Sequence, residues 1–293
     1  MKLGLGTAQF GLDYGVANKE GKTPPEEVIK ILEVAAQNGV QVIDTGSLYG
    51  TSEDALGEAL PHDHGFSIVT KTPQFKKDYI TLQDATLLED TFYQSLSKMH
   101  QVSSYGLLIH NADDLLAKNG YLLMERLQNL KQRGLIEKIG VSVYTGDQID
   151  GVLGKFQVDI VQLPINVFDQ RLIQSGHLLK LNKLGIEVHA RSVFLQGLLI
   201  MDPYSLPLYF DSAREHLVKY HEALQRQGVS AVQAALDFMA GLSEVDIVIC
   251  GVNDHLQLLE ICSRYKSAAA KDFAEFATKD VAIVDPSKWR ISG

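Results

Sequence analysis

Two kinds of segment, defined by their pattern of apolar and polar residues, alternate along the chain. Short apolar runs are followed by longer stretches in which apolar residues recur every three or four positions, the period of a helix. This pattern predicts repeated strand–helix units and a parallel sheet. The eight predicted strands cover residues 3–5, 40–43, 67–70, 105–109, 136–142, 159–163, 186–190 and 246–249. The predicted helices cover about 23–38, 52–60, 82–99, 115–132, 146–153, 174–184, 213–226, 231–241 and 254–264.

Strict alternation of eight strands with helices predicts a (β/α)8 TIM barrel, and 293 residues suit one such domain. An open doubly wound sheet fits less well, because no Gly-x-Gly-x-x-Gly motif follows a strand and opens a helix. We therefore expect residues 1–293 to form a single barrel domain. Residues 271–293 are expected to be a surface appendage, partly helical around 273–278.

Composition and charge exclude several functional classes. The net charge of −9 argues against a nucleic-acid partner, because binding to phosphates requires clustered lysine and arginine. The two cysteines, Cys250 and Cys262, lie among apolar residues, so neither a disulfide framework nor a cysteine-based metal site is expected, and no metal is assigned. No apolar run approaches the roughly 20 residues of a membrane span, and the first residues lack a signal-peptide profile. We therefore expect a cytoplasmic protein without a membrane partner.

Candidate chemistry lies at the ends of three successive predicted strands. Asp44 and Tyr49 stand five residues apart just after the second strand, Lys71 ends the third, and His110 follows the fourth. The carboxyl ends of parallel strands meet at one rim, so these four side chains should converge. A tyrosine has a pKa near 10 and donates protons poorly at neutral pH unless a positive charge lowers that pKa. Lys71, paired with Asp44, is expected to do so, while His110 orients a carbonyl oxygen or relays the proton.

This set, with spacings of 5, 22 and 39 residues, resembles the catalytic tetrad of the aldo-keto reductase family. The likeness rests on Asp44-Thr45 with Tyr49-Gly50, on Thr70-Lys71, on Leu107-Leu108-Ile109-His110-Asn111, and on stretches that extend it from residue 3 to about 260. It implies an enzyme that reduces a small-molecule aldehyde or ketone with a nicotinamide cofactor, Tyr49 being the proton donor. The resemblance to the family favours NADP(H) as the cofactor and leaves NAD(H) as the alternative.

The resemblance also implies a set of cofactor ligands. Ser142 and Gln162, at the ends of the fifth and sixth predicted strands, would contact the nicotinamide carboxamide, although Val143 stands where the family often has asparagine. The loop after the seventh strand, with Ser192 and Gly197, would wrap the pyrophosphate. Arg191 occupies a position where many members carry a tyrosine that stacks on the nicotinamide ring, and a guanidinium plane can stack as well.

Residues 249–260 are similar to the family motif that holds the adenosine end of the cofactor. Gly251, Gln257 and Glu260 match this motif. Asn253 stands where an arginine would hold the 2′-phosphate, and its neutral side chain weakens the expected preference for NADPH over NADH.

Each of these residues taken alone is more often structural than functional, and only their combination favours catalysis. Two alternatives stay open. The first is a regulatory protein of the same fold that binds the cofactor with little turnover, and the second is an aldolase-like barrel in which Lys71 forms a Schiff base. Phe10, Phe75, Tyr144 and Phe168 follow predicted strands and could line a substrate pocket or merely pack. The apolar connection 201–210 suits a lid or a contact between copies, and we expect a monomer or a weak homo-oligomer.

Overall fold

The computed structural model describes residues 1–289, and its eight strands close into a parallel barrel. The strands are Lys2–Gly6 (β1), Val42–Asp44 (β2), Ser67–Lys71 (β3), Ser104–Ile109 (β4), Ile136–Ser142 (β5), Ile160–Pro164 (β6), Glu187–Arg191 (β7) and Ile247–Gly251 (β8). Each strand pairs with the next along the chain, and β8 pairs with β1 to complete the circle. The predicted (β/α)8 fold is confirmed.

Helices surround the barrel and supply the connections between its strands. They are Ala8–Gly11 (α1), Pro25–Gln37 (α2), Ser52–Ala59 (α3), Leu82–Lys98 (α4), Ala112–Leu116 (α5), Tyr121–Gln132 (α6), Gly146–Leu153 (α7), Arg171–Gln174 (α8), His177–Lys183 (α9), Asp211–Gln227 (α10), Ala231–Ala240 (α11), His255–Lys266 (α12) and Val281–Val284 (α13). Local chemistry sets several of their ends. Thr81 and Asp84 form a capping box at the start of α4, and Gly228 ends α10 in the left-handed conformation.

Two predicted helices are each divided in two. The helix expected over 115–132 is α5 followed by α6, because the chain turns so tightly at Gly120 that a Cβ there would lie 2.1 Å from the carbonyl oxygen of Leu115. The helix expected over 174–184 is α8 followed by α9, because Gly176 adopts a φ of 78° between them. Apolar periodicity continues across both breaks and therefore gives no sign of them.

An apolar floor inside the barrel supports the polar residues above it. Val42, Val69, Leu108, Ile160, Ile247 and Ile249 form a buried cluster separate from the larger core between strands and helices. Side chains alternate along a strand, so residues two positions further on face the same way and form the next layer. That layer contains Asp44 of β2, Lys71 of β3, His110 directly after β4, and Gln162 of β6.

The segment after α12 packs against the barrel. Phe273, Phe276, Ile283 and Val284 are buried, and the backbone N–H of Thr278 donates to the carbonyl of Phe168 at 2.9 Å. The helical character expected around 273–278 is a single 3₁₀ turn, Ala274–Phe276. Residues 290–293, the end of the predicted appendage, lie outside the described residues. Among the helices of residues 1–289, none combines the length and apolarity needed to cross a bilayer.

Candidate active site

A buried ion pair lies at the centre of the polar layer. Lys71 Nζ donates to Asp44 Oδ1 at 2.6 Å and to the carbonyl oxygen of Thr45 at 2.8 Å. The Lys71 and Asp44 side chains are 1% and 6% exposed. Burial places the pKa of Lys71 below its usual value, while the Asp44 carboxylate opposes that shift. The pair fixes both side chains because a buried charge without its partner would be strongly unfavourable.

The Tyr49 ring lies beside this pair, on the loop between β2 and α3. Its backbone N–H donates to the carbonyl of Gly46 at 2.9 Å, which forms a tight turn. The loop packs so closely on α1 that a Cβ at Gly11 would lie 1.8 Å from the Tyr49 carbonyl oxygen. Lys71 Nζ is 4.8 Å from the centroid of the ring. The loop geometry therefore brings together the phenol and the ammonium expected from the sequence.

The pKa of Tyr49 shifts in the direction opposite to our expectation. Burial raises the pKa of the phenol above its ordinary value, the negative charge of Asp44 raises it further, and the positive charge of Arg191 lowers it. The expectation of an acidified phenol was wrong because it omitted burial and counted Asp44 only as the partner of Lys71, although its negative charge also raises the pKa of the phenol. Tyr49 therefore holds its proton at neutral pH in the protein without ligands.

His110 completes the group at the rim. Its ring meets that of Tyr49 edge to face, with centroids 5.9 Å apart and planes at 82°. Burial, together with the positive charges of Lys71 and Arg191, lowers the pKa of His110 to about 3. Its Nδ1 is buried and has no hydrogen-bond partner within residues 1–289. His110 is therefore a neutral imidazole at neutral pH.

Gln162 links the ion pair to the space above it. Its Nε2 donates to Asp44 Oδ1 at 2.7 Å, and its Oε1 is buried without a partner in the described part of the chain. Buried amide oxygens are nearly always hydrogen-bonded, so this acceptor is suited to a donor from a bound molecule.

A cavity of about 550 Å³ opens above this group. Eleven of the thirteen predicted site residues line it: Tyr49, His110, Ser142, Gln162, Arg191, Ser192, Gly197, Gly251, Asn253, Gln257 and Glu260. The other two, Asp44 and Lys71, lie beneath Gln162 and Tyr49 and do not line the cavity. The position of Lys71 argues against the Schiff-base alternative, because that reaction needs a substrate carbonyl to reach the amine.

The chain is similar to known proteins in both sequence and fold. The model of the aldo/keto reductase family matches residues 2–285. The chain belongs to this family. The chain is also similar to an uncharacterized oxidoreductase, YqkF, from Bacillus subtilis (strain 168). The two are 23% identical over 283 residues, which cover 87% of this chain and 88% of that one. The family is one of oxidoreductases, so the broad functional class expected from the tetrad is supported.

Solved structures of aldo-keto reductases share the fold at low sequence identity. The holo form of AKR11C1 from Bacillus halodurans superposes with a TM-score of 0.75 at 18% identity, covering 94% of this chain and 92% of that one. The glycerol dehydrogenase AKR11B4 from Gluconobacter oxydans gives 0.71 at 20% identity, covering 99% of this chain and 94% of that one.

Arg191, one of the departures from the family pattern, ends β7 and lines the same cavity as Tyr49 and His110. Its Cζ is 4.2 Å from the centroid of the Tyr144 ring. Nη2 donates to the carbonyl of Val143 at 3.1 Å, and Nη1 makes a long contact of 3.4 Å with Ser192 Oγ. The guanidinium is therefore held on one face and along one edge by neutral groups.

The opposite end of the cavity lies beside α12. The backbone N–H of Asn253 donates to Gln257 Oε1 at 3.0 Å, and Arg264 Nε donates to Glu260 Oε1 at 2.6 Å. Arg191 is the only cation among the described residues that line the cavity, so no lysine or arginine lines this end. Glu260 contributes a carboxylate there instead.

Several lining residues were not found from the sequence. Tyr14 and Gln74 follow β1 and β3, so the rule that chemistry lies at the carboxyl ends of strands could have indicated them. Ser287 also lines the cavity, and no local pattern connects it to Tyr49, which lies 238 residues earlier in the chain. Of the four candidate aromatics, Tyr144 lines the cavity, Phe10 and Phe168 are core residues, and Phe75 is partly buried against the core.

Proposed function

We propose that this protein reduces an aldehyde or ketone with a reduced nicotinamide cofactor, with Tyr49 as the proton donor. One observation carries the proposal: a protonated phenol and a neutral imidazole line the same cavity, directly above a buried lysine–aspartate pair. This arrangement can deliver a proton to an oxygen atom that becomes negatively charged, the requirement of carbonyl reduction.

Tyr49 is suited to the role of acid because its raised pKa keeps it protonated until the reaction occurs. As negative charge develops on the substrate oxygen, the phenolic proton moves to that oxygen and leaves a phenolate. The ammonium of Lys71, 4.8 Å from the ring centroid, stabilises the phenolate by Coulomb attraction at low dielectric. Asp44 holds Lys71 in place, so no side chain has to reorganise during the step.

His110 acts as a neutral hydrogen-bond donor in this proposal. Because its pKa is lowered to about 3, the ring is neutral at neutral pH and carries one N–H. This N–H can donate a hydrogen bond to the carbonyl oxygen of the substrate. The edge-to-face contact with Tyr49 supports this role, because it holds the two rings side by side at the cavity wall. Two donors aimed at a developing oxyanion lower the barrier without any change in the charge of His110.

The cavity residues fit a nicotinamide cofactor, which would supply the hydride when bound. The unpartnered Oε1 of Gln162 would accept from the carboxamide, with Ser142 beside it. The loop with Ser192 and Gly197 would hold the pyrophosphate. Both residues line the cavity, and a glycine lets the backbone approach a ligand closely, which supports this role.

The residues that would hold the adenosine end of the cofactor, 251–260, favour NAD(H). The resemblance to the family alone favoured NADP(H). A 2′-phosphate needs a charge-assisted partner, and Asn253 supplies a neutral amide. Glu260 lines the same end, and Arg264 is paired with its carboxylate, so that arginine is not free to bind a phosphate. We therefore infer that NADH binds more tightly than NADPH.

The test is to titrate NADH and NADPH by fluorescence and then follow oxidation of each over a panel of aldehydes and ketones that includes sugar aldehydes. The proposal predicts tighter binding of NADH and turnover with at least one carbonyl compound. Tight binding without turnover on any carbonyl would instead favour the regulatory alternative. Absence of binding by either cofactor would contradict the proposal outright.

A further inference from the structure

The inner end of the cavity has a positive charge that the chain itself does not neutralise. Lys71 is paired with Asp44, and His110 and Tyr49 are neutral at pH 7. Arg191 adds a second cation, and no carboxylate within residues 1–289 forms an ion pair with it. Arg191 is half-buried at the cavity wall, so an anion that enters the cavity from outside the chain is the simplest source of the missing negative charge.

Given the proposed carbonyl reduction, we propose that the substrate carries a carboxylate, which Arg191 binds while the carbonyl group lies at Tyr49 and His110. The substrate class is therefore a short oxo acid rather than a neutral aldehyde or ketone.

The place of Arg191 in β7 directs it to the reacting centre. His189, two positions earlier on the strand, is fully buried, and side chains two positions apart share a face of the strand. Arg191 therefore faces the barrel mouth, as Asp44 and Gln162 do on β2 and β6. Its positive charge influences the pKa values of both Tyr49 and His110, which agrees with this position.

The guanidinium is held ready for a planar anion. Tyr144 covers one of its faces, and the Val143 carbonyl accepts from Nη2. These contacts occupy few of its five N–H groups, and Nε has no acceptor in the described part of the chain. Free N–H groups on a fixed plane match the two oxygens of a carboxylate, a recognition mode that lysine cannot reproduce.

The competing role for Arg191 is as a ligand of the cofactor, either stacked on the nicotinamide or bound to the pyrophosphate. A cation beside the oxidised ring would be repelled by the positive charge of that ring, so stacking alone leaves the charge of Arg191 uncompensated. The two roles predict different effects of removing the Arg191 charge. A substrate-binding Arg191 predicts weaker binding of carboxylates, and a cofactor-binding Arg191 predicts weaker binding of NADH.

The experiment compares oxo acids with their neutral esters. For wild type, Arg191→Gln and Arg191→Lys, kcat/KM is measured for pyruvate, acetoacetate and levulinate, each beside its methyl ester. Calorimetry on the same proteins with NADH bound follows malonate, oxamate and inorganic phosphate, which have no carbonyl that this reaction reduces. Arg226→Gln, an exposed substitution on α10 outside the cavity, removes the same charge and serves as the control.

We expect wild type to prefer at least one acid over its ester, and Arg191→Gln to reduce that acid-to-ester ratio roughly 10- to 100-fold. Carboxylate binding should weaken by a similar factor, partly recover in Arg191→Lys, and stay unchanged in Arg226→Gln. An equal loss for acids and esters, accompanied by weaker NADH binding, would make Arg191 a cofactor ligand and overturn the inference. Binding of phosphate but of no carboxylate would also overturn it.

The design separates this inference from the proposed function. Carboxylate binding that depends on Arg191, without reduction of any carbonyl, would support the anion site and contradict the reductase. Reduction of esters with no preference for acids in wild type would contradict the anion site and leave the reductase standing. That last comparison needs no variant, so it holds even if Arg191→Gln does not fold.

Discussion

Lys71 Nζ lies 2.6 Å from Asp44 Oδ1, and the pairing of barrel strands brings these two side chains together beside Tyr49. Asp44 ends β2 and Lys71 ends β3, so the pair forms between neighbouring strands whose register aligns Asp44 with Val69. The lysine is therefore fixed beside Tyr49 before any ligand binds.

Asp44→Asn should destabilise the fold. The substitution removes the anion from a buried pair and leaves the Lys71 charge without its partner, at an expected cost of about 3–5 kcal/mol in the free energy of unfolding. Asp54→Asn is the matched control, because it breaks a 3.6 Å pair with Lys98 in which both side chains are at least 40% exposed. That change should cost less than about 1 kcal/mol. Urea unfolding measures both, and equal costs would mean that the buried pair contributes no more than a surface pair.

The pH dependence of kcat/KM should be flat between about pH 5 and about pH 9 as far as Tyr49 and His110 are concerned, because kcat/KM reports the free enzyme. Burial lowers the pKa of His110 to about 3, so the imidazole is already neutral at the acid end of this window. Burial raises the pKa of Tyr49, so the phenol is still protonated at the alkaline end.

A neutral ketone should be used as substrate so that only the protein titrates in this profile. A fall in rate below about pH 6.5 that disappears in His110→Gln but persists in His62→Gln, an exposed control, would mean that His110 titrates normally.

Asn253→Arg should shift the cofactor preference toward NADPH. An arginine at this position can form a charge-assisted contact with a 2′-phosphate, which should raise the affinity for NADPH relative to NADH roughly 10- to 100-fold. Asn253→Gln adds length without charge and should leave the ratio nearly unchanged. Dissociation constants for both cofactors measure the shift. An unchanged ratio in Asn253→Arg would mean that residue 253 does not lie near the ribose.

Phe276→Ala should destabilise the whole protein if the segment after α12 belongs to the barrel domain, as we propose. The Phe276 ring is buried and lies 5.3 Å from that of Tyr220, so its removal leaves a cavity that should cost about 3–5 kcal/mol. Tyr204, which is 76% exposed, provides the control, and Tyr204→Ala should change stability by about 0.5 kcal/mol or less. A small effect of Phe276→Ala would indicate an appendage that does not contribute to the fold.

Features fixed by strand position could be predicted from the sequence. Asp44, Lys71 and Gln162 end apolar runs, and the parallel arrangement then brings them to one rim. Features set by three-dimensional surroundings could not. The pKa of Tyr49 depends most on its burial, which the spacing of residues does not reveal, so the predicted direction was wrong. Phe10 follows a strand as Tyr144 does, yet only the packing of α1 shows that it is a core residue.

The central claim is that Tyr49 supplies the proton, and Tyr49→Phe tests it most directly. The substitution removes one oxygen atom, keeps the ring between Lys71 and His110, and leaves the cofactor end of the cavity intact. Turnover of the best carbonyl substrate and the dissociation constant of the reduced cofactor are measured together, with Tyr79→Phe, an exposed tyrosine, as the control. The account predicts that kcat falls roughly 100- to 10,000-fold in Tyr49→Phe while cofactor affinity stays within about threefold of wild type. Turnover equal to that of wild type would contradict it.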